Sequence, residues 1–387
     1  MVHCCSDLAR AQVKQFQNFL RRLTTMSSEV AAPQLTTEME GGDRTVFARL
    51  SLVVLAIGLL ATAVFSLASG ATDSSAFAVA WALVSGDHSA IDAVERIVIS
   101  DIRMPRTLLG IMIGASLAVS GAIMQGLFRN PLADPGIVGV SAGAGLGAVT
   151  TIVLGGTVLA PIVALFGIYQ IPFAAFLGGL ASTFILYRVS TRNGRTSVAT
   201  MLLTGIALGA MAGAFTGLLV FWADDQQLRD LTFWGLGSVA GATWIKVAAV
   251  APIILPVIFL APFMARGLNA MTLGEATAQH LGINVQVFKR IAIVAVAAAT
   301  GASVAVSGGI GFVGIVVPHL LRLFIGPDHK YLLPACALLG AIMLLLADAI
   351  ARQIVAPAEL PIGIVTATIG APFFLWILLR KRGLLDM

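Results

Sequence analysis

Charge is what this sequence has least of. Asp, Glu, Lys and Arg make up 11% of its 387 residues, where a soluble chain carries about a quarter. Hydrophobic residues reach 58% and mean hydropathy is +0.94, more apolar matter than one soluble core can hide from water. Cysteine is nearly absent. Cys4, Cys5 and Cys336 build no disulfide framework and show no metal-ligand spacing. The adjacent pair has the form of an acylation site, but inert thiols in a reducing compartment are the plainer reading. The five histidines (His3, His88, His280, His319 and His329) never pair at ligand spacing, so no metal site is expected. H-E-x-x-H and G-x-S-x-G are both missing, which leaves catalysis without support. The dipeptide Gly-Lys of a Walker A loop occurs nowhere. Gly309-Ile-Gly311-Phe-Val-Gly314 spells a dinucleotide fingerprint, but no strand precedes it and no acidic residue follows at the right distance.

What is present is a series of long charge-free runs. A helix crosses the hydrocarbon with about 20 apolar residues. The windows 50–72, 107–128, 196–223, 247–265, 331–347 and 360–379 each hold one span, and 135–187 holds two. The window 291–321 is long for one helix and short for two, so hydropathy alone gives nine or ten. The positive-inside rule decides. The loop with Arg266, Lys289 and Arg290 and the tail Arg380-Lys381-Arg382 are both basic and should share the cytoplasmic side. An even number of spans must then separate them, so 291–321 turns once. The expected fold is all-α and polytopic, with ten transmembrane helices and both termini cytoplasmic. Of 24 Lys and Arg, only Arg96, Arg103, Arg106, Arg229, Lys246 and Arg352 then fall outside.

Residues 1–45 read as a polar cytoplasmic tail and 46–387 as the transmembrane domain. The first apolar run is too long for a signal h-region, and Met26 opens a shorter reading frame. Residues 74–100 are too short in apolar length to span, and read as an external helix near the headgroups. The 40 glycines suit close helix packing in lipid. An internal repeat stands out: 114–123 (GASLAVSGAI) returns as 301–310 (GASVAVSGGI), and the same offset carries Pro131 onto Pro318. Five spans separate the copies, so the two halves would run in opposite directions, a transporter architecture. Asp348 is the main ionisable group inside a span, with Arg352 at i+4 on the same face as an ion-pair partner. Few buried carboxylates argue against proton or sodium coupling. The loop 267–290 carries 271–283 as a short amphipathic helix stopped by Gly282, a handle for a soluble partner.

Several motifs resemble one family in order along 46–379: the permeases of binding-protein-dependent importers for vitamin B12, ferric siderophores and haem. They are Arg103-Met-Pro-Arg106, the run from Gln125 through Asn130, Pro131, Asp134, Pro135 and Gly136, then Phe233-Trp-Gly-Leu-Gly-Ser238. Gly311-Phe-Val-Gly314 through Pro318, His319 and Arg322 follows, then Ala347-Asp348 and Glu359-Leu-Pro-Ile-Gly363. The resemblance is closest to haem permeases. It implies an inner-membrane homodimer around a central pathway, two ATP-binding cassette ATPase subunits carrying the ATP and Mg, and a periplasmic substrate-binding protein. By the same resemblance Leu273, Gly274, Glu275, Ala276, Leu281 and Gly282 couple to the ATPase. Arg103, Arg106 and Arg352 would pair with carboxylates of the docked binding protein. Ser197, Val198, Ala199 and Thr200 would form the cytoplasmic gate, although the family has small hydroxylated residues there and this chain departs at Val198 and Ala199. Import of haem, a ferric siderophore or cobalamin is the expected function. A secondary carrier and an intramembrane enzyme are the readings of a different class.

Overall fold

The computed structural model describes residues 44–69, 81, 93–192, 195–355 and 358–380. The expected tail lies almost wholly outside the described residues, as does most of the expected external helix. Helix α1 is Thr45–Ala68 and α2 is Ala93–Ile97. A π-helical stretch, Val98–Arg103, joins α2 directly to α3, Met104–Phe128. A 3₁₀ turn at Pro135–Val138 leads to α4 (Val140–Leu154), α5 (Ala160–Phe166) and α6 (Gln170–Ser190). The antiparallel strands β1 (Thr191–Arg192) and β2 (Arg195–Thr196) precede α7 (Val198–Trp222) and α8 (Asp225–Leu236). Then come α9 (Trp244–Thr272), α10 (Glu275–His280), α11 (Val285–Ser307), α12 (Val313–Ile325), α13 (His329–Ile354) and α14 (Ile362–Arg380).

Among the described residues, seven helical stretches are long and apolar enough to cross a bilayer: Thr45–Ala68, Val98–Phe128, Val163–Ser190, Val198–Trp222, Trp244–Thr272, Val285–Ser307 and His329–Ile354. Val140–Leu154, Val313–Ile325 and Ile362–Trp376 are shorter apolar helices. Each of these overlaps a charge-free window of the sequence, and most run past its edge. Within 291–321 the chain breaks at Gly308, whose φ of +71° ends α11, and resumes at α12.

Helix α3 is the axis of the bundle. It packs against α13, α9, α11 and α12 and is buried along nearly its whole length, which is why it is apolar on every face. Backbones touch where side chains are missing. Gly114 meets Gly340 of α13, and Gly121 meets Gly314 of α12, so closely that a Cβ on Gly121 would lie 1.9 Å from the Gly314 carbonyl oxygen.

Gly126 of α3 lies against Leu268 of α9, and Gly267 of α9 against Phe288 of α11. The end of α3 and the start of α11 therefore share one end of the bundle, and the two helices run antiparallel. These are the helices that carry the sequence repeat. Ser116 and Ser303, equivalent positions in it, meet with their hydroxyls 3.1 Å apart. The correspondence does not extend to the prolines: Pro131 sits in the turn after α3, while Pro318 lies inside α12.

Two expectations about the loop after α9 change. The helix expected over 271–283 is only α10, because α9 runs on to Thr272 and Gly274 (φ +105°) breaks the chain there. Gly282 does take a left-handed turn, at φ +83°. Lys289 and Arg290 belong to α11, so the irregular connection is about half as long as the charge pattern implied.

Candidate functional site

Three places concentrate polar chemistry in an otherwise apolar bundle. The first is where α3 begins. Arg106, only 6% exposed, sends Nε and Nη2 to Asp348 of α13 at 2.8–3.1 Å. Its Nη1 donates to both carboxylate oxygens of Glu359 at 2.8 and 3.0 Å. Asp348 is fully buried and also pairs with Arg352 at 3.2 Å, as the i+4 spacing predicts. Arg352 donates onward to the backbone oxygens of Ser66 and Ser69. Arg103 donates to the oxygens of Leu67 and Ala68 at the end of α1. The three arginines singled out for docking thus gather at one end of the bundle, but they face inward. Their planar donor sets hold α1, α3, α13 and the segment before α14 together. Glu359, its side chain 40% exposed, is the accessible carboxylate of the cluster.

The second place is the contact between α3 and α12, built from the family motifs. Pro318 has no N–H to give the carbonyl of Gly314 four residues earlier, which a regular helix would supply. Gln125 supplies it instead, its Nε2 donating to Gly314 O at 3.1 Å. Arg322, one turn beyond Pro318, holds the other end of that amide through Nη1. Gly121 makes room for the carbonyl. Phe312 enters α12 with φ +68°, a conformation a bulky residue adopts only where its surroundings enforce it. Asn130 closes the turn after α3, its Oδ1 accepting the Leu132 N–H at 2.9 Å. Asp134 caps the 3₁₀ turn by accepting Gly136 N–H at 2.7 Å. It lies against Gly314 and opposite the middle of α3. His319 is buried, edge-on to Phe373 of α14. Asn130, Pro131, Pro318 and His319 are therefore parts of helix junctions.

The third place is the opposite end, where α3 finishes. Ser197 caps α7, its hydroxyl accepting the Thr200 N–H at 3.3 Å. Val198 is half-buried and Ala199 exposed. Lys289 of α11 is 2% exposed and donates to Glu275 Oε1 of α10 at 2.7 Å and to Thr196 O of β2 at 3.0 Å. Leu273 and Leu281, before and after α10, are 65% and 52% exposed, and Ala276 is exposed between them. Leu273 and Leu281 border a groove of about 540 Å³ with Arg266, Asp328 and Lys330. Two large apolar side chains at the rim of a charged groove suit a protein partner.

Sequence reasoning had not paired Gln125 with Arg322, Glu359 with Arg106, or Lys289 with anything, because each partner lies far along the chain. The Pro318 carbonyl rule was the one available signal for Gln125.

A helical bundle that buries its ion pairs at the helix ends and keeps its spans apolar is built to sit in a membrane. Residues 58–380 match the FecCD transport family, and the chain belongs to that family. It is 46% identical over 334 residues to the hemin transport system permease protein HmuU of Yersinia pestis, covering 86% of this chain and 96% of the relative. The cobalamin import system permease protein BtuC of Halobacterium salinarum is 43% identical over 292 residues, 76% of each chain. The vitamin B12 import system permease protein BtuC of Klebsiella pneumoniae is 43% identical over 293 residues, 76% of this chain and 86% of that one. Among solved structures, an inward-facing conformation of a metal-chelate type ABC transporter superposes with a TM-score of 0.74 at 32% identity, over 85% of this chain and 98% of that one. The protein is an integral membrane permease of this class.

Proposed function

We propose that this chain is the permease subunit of an ATP-driven haem importer in the bacterial inner membrane. The observation that carries the cargo is the 46% identity to a hemin permease across 96% of that relative's length. Seven long and three shorter apolar helices support ten spans, and the basic loop and tail favour both termini on the cytoplasmic side. The antiparallel α3 and α11 support an inverted repeat. Two copies enclose the pathway, two ATPase subunits carry ATP and Mg, and a periplasmic binding protein delivers the haem. The chain performs no chemistry on its cargo.

In this reading the groove beside Leu273 and Leu281 receives the ATPase, with Gly274 and Gly282 setting the turns that present α10. ATP-driven closure of the ATPases moves this loop, and the segment 197–200 opens or shuts the cytoplasmic side. At the other end, docking at Arg103, Arg106 and Arg352 is an exchange. A carboxylate of the binding protein replaces Glu359 on Arg106 Nη1, while Asp348 keeps the rest of the guanidinium.

The test is uptake into proteoliposomes holding the permease and its ATPase, with the cognate binding protein loaded with haem, a ferric siderophore or cobalamin. ATP-dependent haem accumulation is expected. Accumulation of one of the other two alone would reassign the cargo within the family. Uptake by the permease without the ATPase would point to a secondary carrier, and peptide cleavage by it to an intramembrane enzyme.

A further inference from the structure

Lys289 is the largest fully buried side chain of the bundle, and nothing in transport by this chain yet accounts for it. We propose that Lys289 is a positioning residue that ties α10 to the first turn of α7, so that movement of the α10 loop reaches the segment 197–200. This rests on the proposed roles of those two segments.

An ammonium taken out of water needs partners for its charge and its protons. Lys289 has one of each kind: the Glu275 carboxylate at 2.7 Å and the Thr196 carbonyl at 3.0 Å. Glu275 is the first residue of α10, and Thr196 directly precedes Ser197, the cap of α7. The same face of α11 grips Thr196 a second time. Gln286, three residues before Lys289, accepts the Thr196 N–H at 2.9 Å. Both backbone groups of Thr196 are therefore held by α11, and its hydroxyl lies 3.0 Å from that of Thr191 across the hairpin. Next on the helix, Arg290 donates to Tyr187 OH of α6 at 3.0 Å.

The consequence is mechanical. If α10 is displaced and Glu275 goes with it, the ammonium either follows or stays buried without its counter-charge. Following it pulls on Thr196 O, one residue from the α7 cap. The Ser197 hydroxyl is taken up within its own segment, by the Thr200 N–H. Glu275, its side chain 38% exposed, stands at the surface end of this chain of contacts.

The experiment uses the complete importer in proteoliposomes and reads haem transported per ATP hydrolysed. It also measures the distance between spin labels at Ala199→Cys in the two permease copies, with and without ATP. Lys289→Met should assemble and hydrolyse ATP at close to the normal rate while transport per ATP falls about tenfold, within the range of an ordinary coupling free energy. The ATP-dependent distance change should shrink with it, and Lys289→Arg should restore most of both. Normal transport per ATP with a normal distance change in Lys289→Met would overturn the proposal. If Lys289→Met does not fold, Glu275→Gln decides: transport per ATP should fall about fivefold, and normal coupling counts against the proposal. The pair Leu273→Ser with Leu281→Ser tests the underlying reading. If that pair leaves ATPase assembly and transport normal, the loop is not the coupling site and the proposal falls with it. If the pair disrupts coupling while the Lys289 and Glu275 variants do not, only the tie is refuted.

Discussion

Helices α3 and α7 have the same length, 25 residues, and each carries four glycines, yet the glycines do opposite things. In α3, Gly114 and Gly121 are filled by neighbouring backbone, with the carbonyls of Gly340 and Gly314 where a Cβ would stand. In α7, Gly205, Gly209, Gly213 and Gly217 recur every fourth residue, the small-xxx-small pattern of packed membrane helices. Among the described residues, a Cβ at Gly209, Gly213 or Gly217 would meet no neighbour within 4 Å. Helix α7 is held by α4 and α6, with an apolar cleft of about 470 Å³ between the three, and its other face shows Leu203, Ile206, Phe215 and Leu218. A glycine stripe therefore does not say whether its contact is made within the chain. Helix α3 is the fixed axis, and α7 keeps a smooth face that the fold of one copy leaves unused.

The largest expected effect breaks the axis. Gly121→Val puts its Cβ on a backbone oxygen that cannot step aside, because Gln125 and the α12 start hold it. The cost exceeds the ~1–3 kcal/mol of ordinary overpacking. No monodisperse protein should be recovered in detergent. Recovery of a normally melting variant would show that α12 can slide along α3.

Next comes the arginine cluster that anchors both ends of α3's first turn. Asp348→Asn leaves Arg106 and Arg352 without their shared buried counter-charge, a loss of about 3–5 kcal/mol that thermal unfolding in detergent should register. Glu359→Gln removes the half-exposed partner of the same arginine, and solvent screening should hold its cost to ~1 kcal/mol or less. Equal losses for the two would mean that Glu359 is as structural as Asp348, and would remove the exchange proposed for docking.

Much of this was open to reading along the chain. Charge-free windows located the apolar helices, because an ionised group is costly deep in the hydrocarbon whatever its neighbours in sequence. The i+4 spacing found the Arg352–Asp348 pair. What hydropathy averages cannot carry is which way a side chain faces. Charge counting placed Arg106 only on the outer side of the membrane, and its partners, 242 and 253 residues away, turn it inward. Lys289 was taken for a loop charge for the same reason. Asp134 sits between spans in sequence and opposite the middle of α3 in space, since the chain folds back into the bundle at Pro135. Helix α8 was missed although Asp224 and Gln227 spell a capping box, which they form.

A smaller effect is expected where α3 meets its repeat partner α11. Ser116→Ala removes the hydroxyl that Ser303 contacts, but Ser303 keeps its bond to Ala299 O at 2.8 Å. Interhelical hydrogen bonds in lipid are worth only about 0.6 kcal/mol on average, so the melting temperature should move by a few degrees at most. A larger drop would make this contact a keystone of the repeat rather than one touch among many.

The smallest effect belongs to α7. A methyl group at Gly213 meets no neighbouring atom within 4 Å among the described residues, and alanine favours a helix over glycine by up to about 1 kcal/mol in water. Gly213→Ala should therefore leave the melting temperature of the isolated permease unchanged or slightly raised. A loss approaching that of Gly121→Val would mean that the α7 stripe is packed within one copy after all, and the contrast between the two helices would disappear. The informative result is a split: unchanged stability together with reduced transport by the assembled importer. A methyl group that costs this fold nothing would then act on a contact made only in the assembled, working importer. On the proposed reading this is the pathway between two copies, where the α7 face would stand against its twin or the passing cargo.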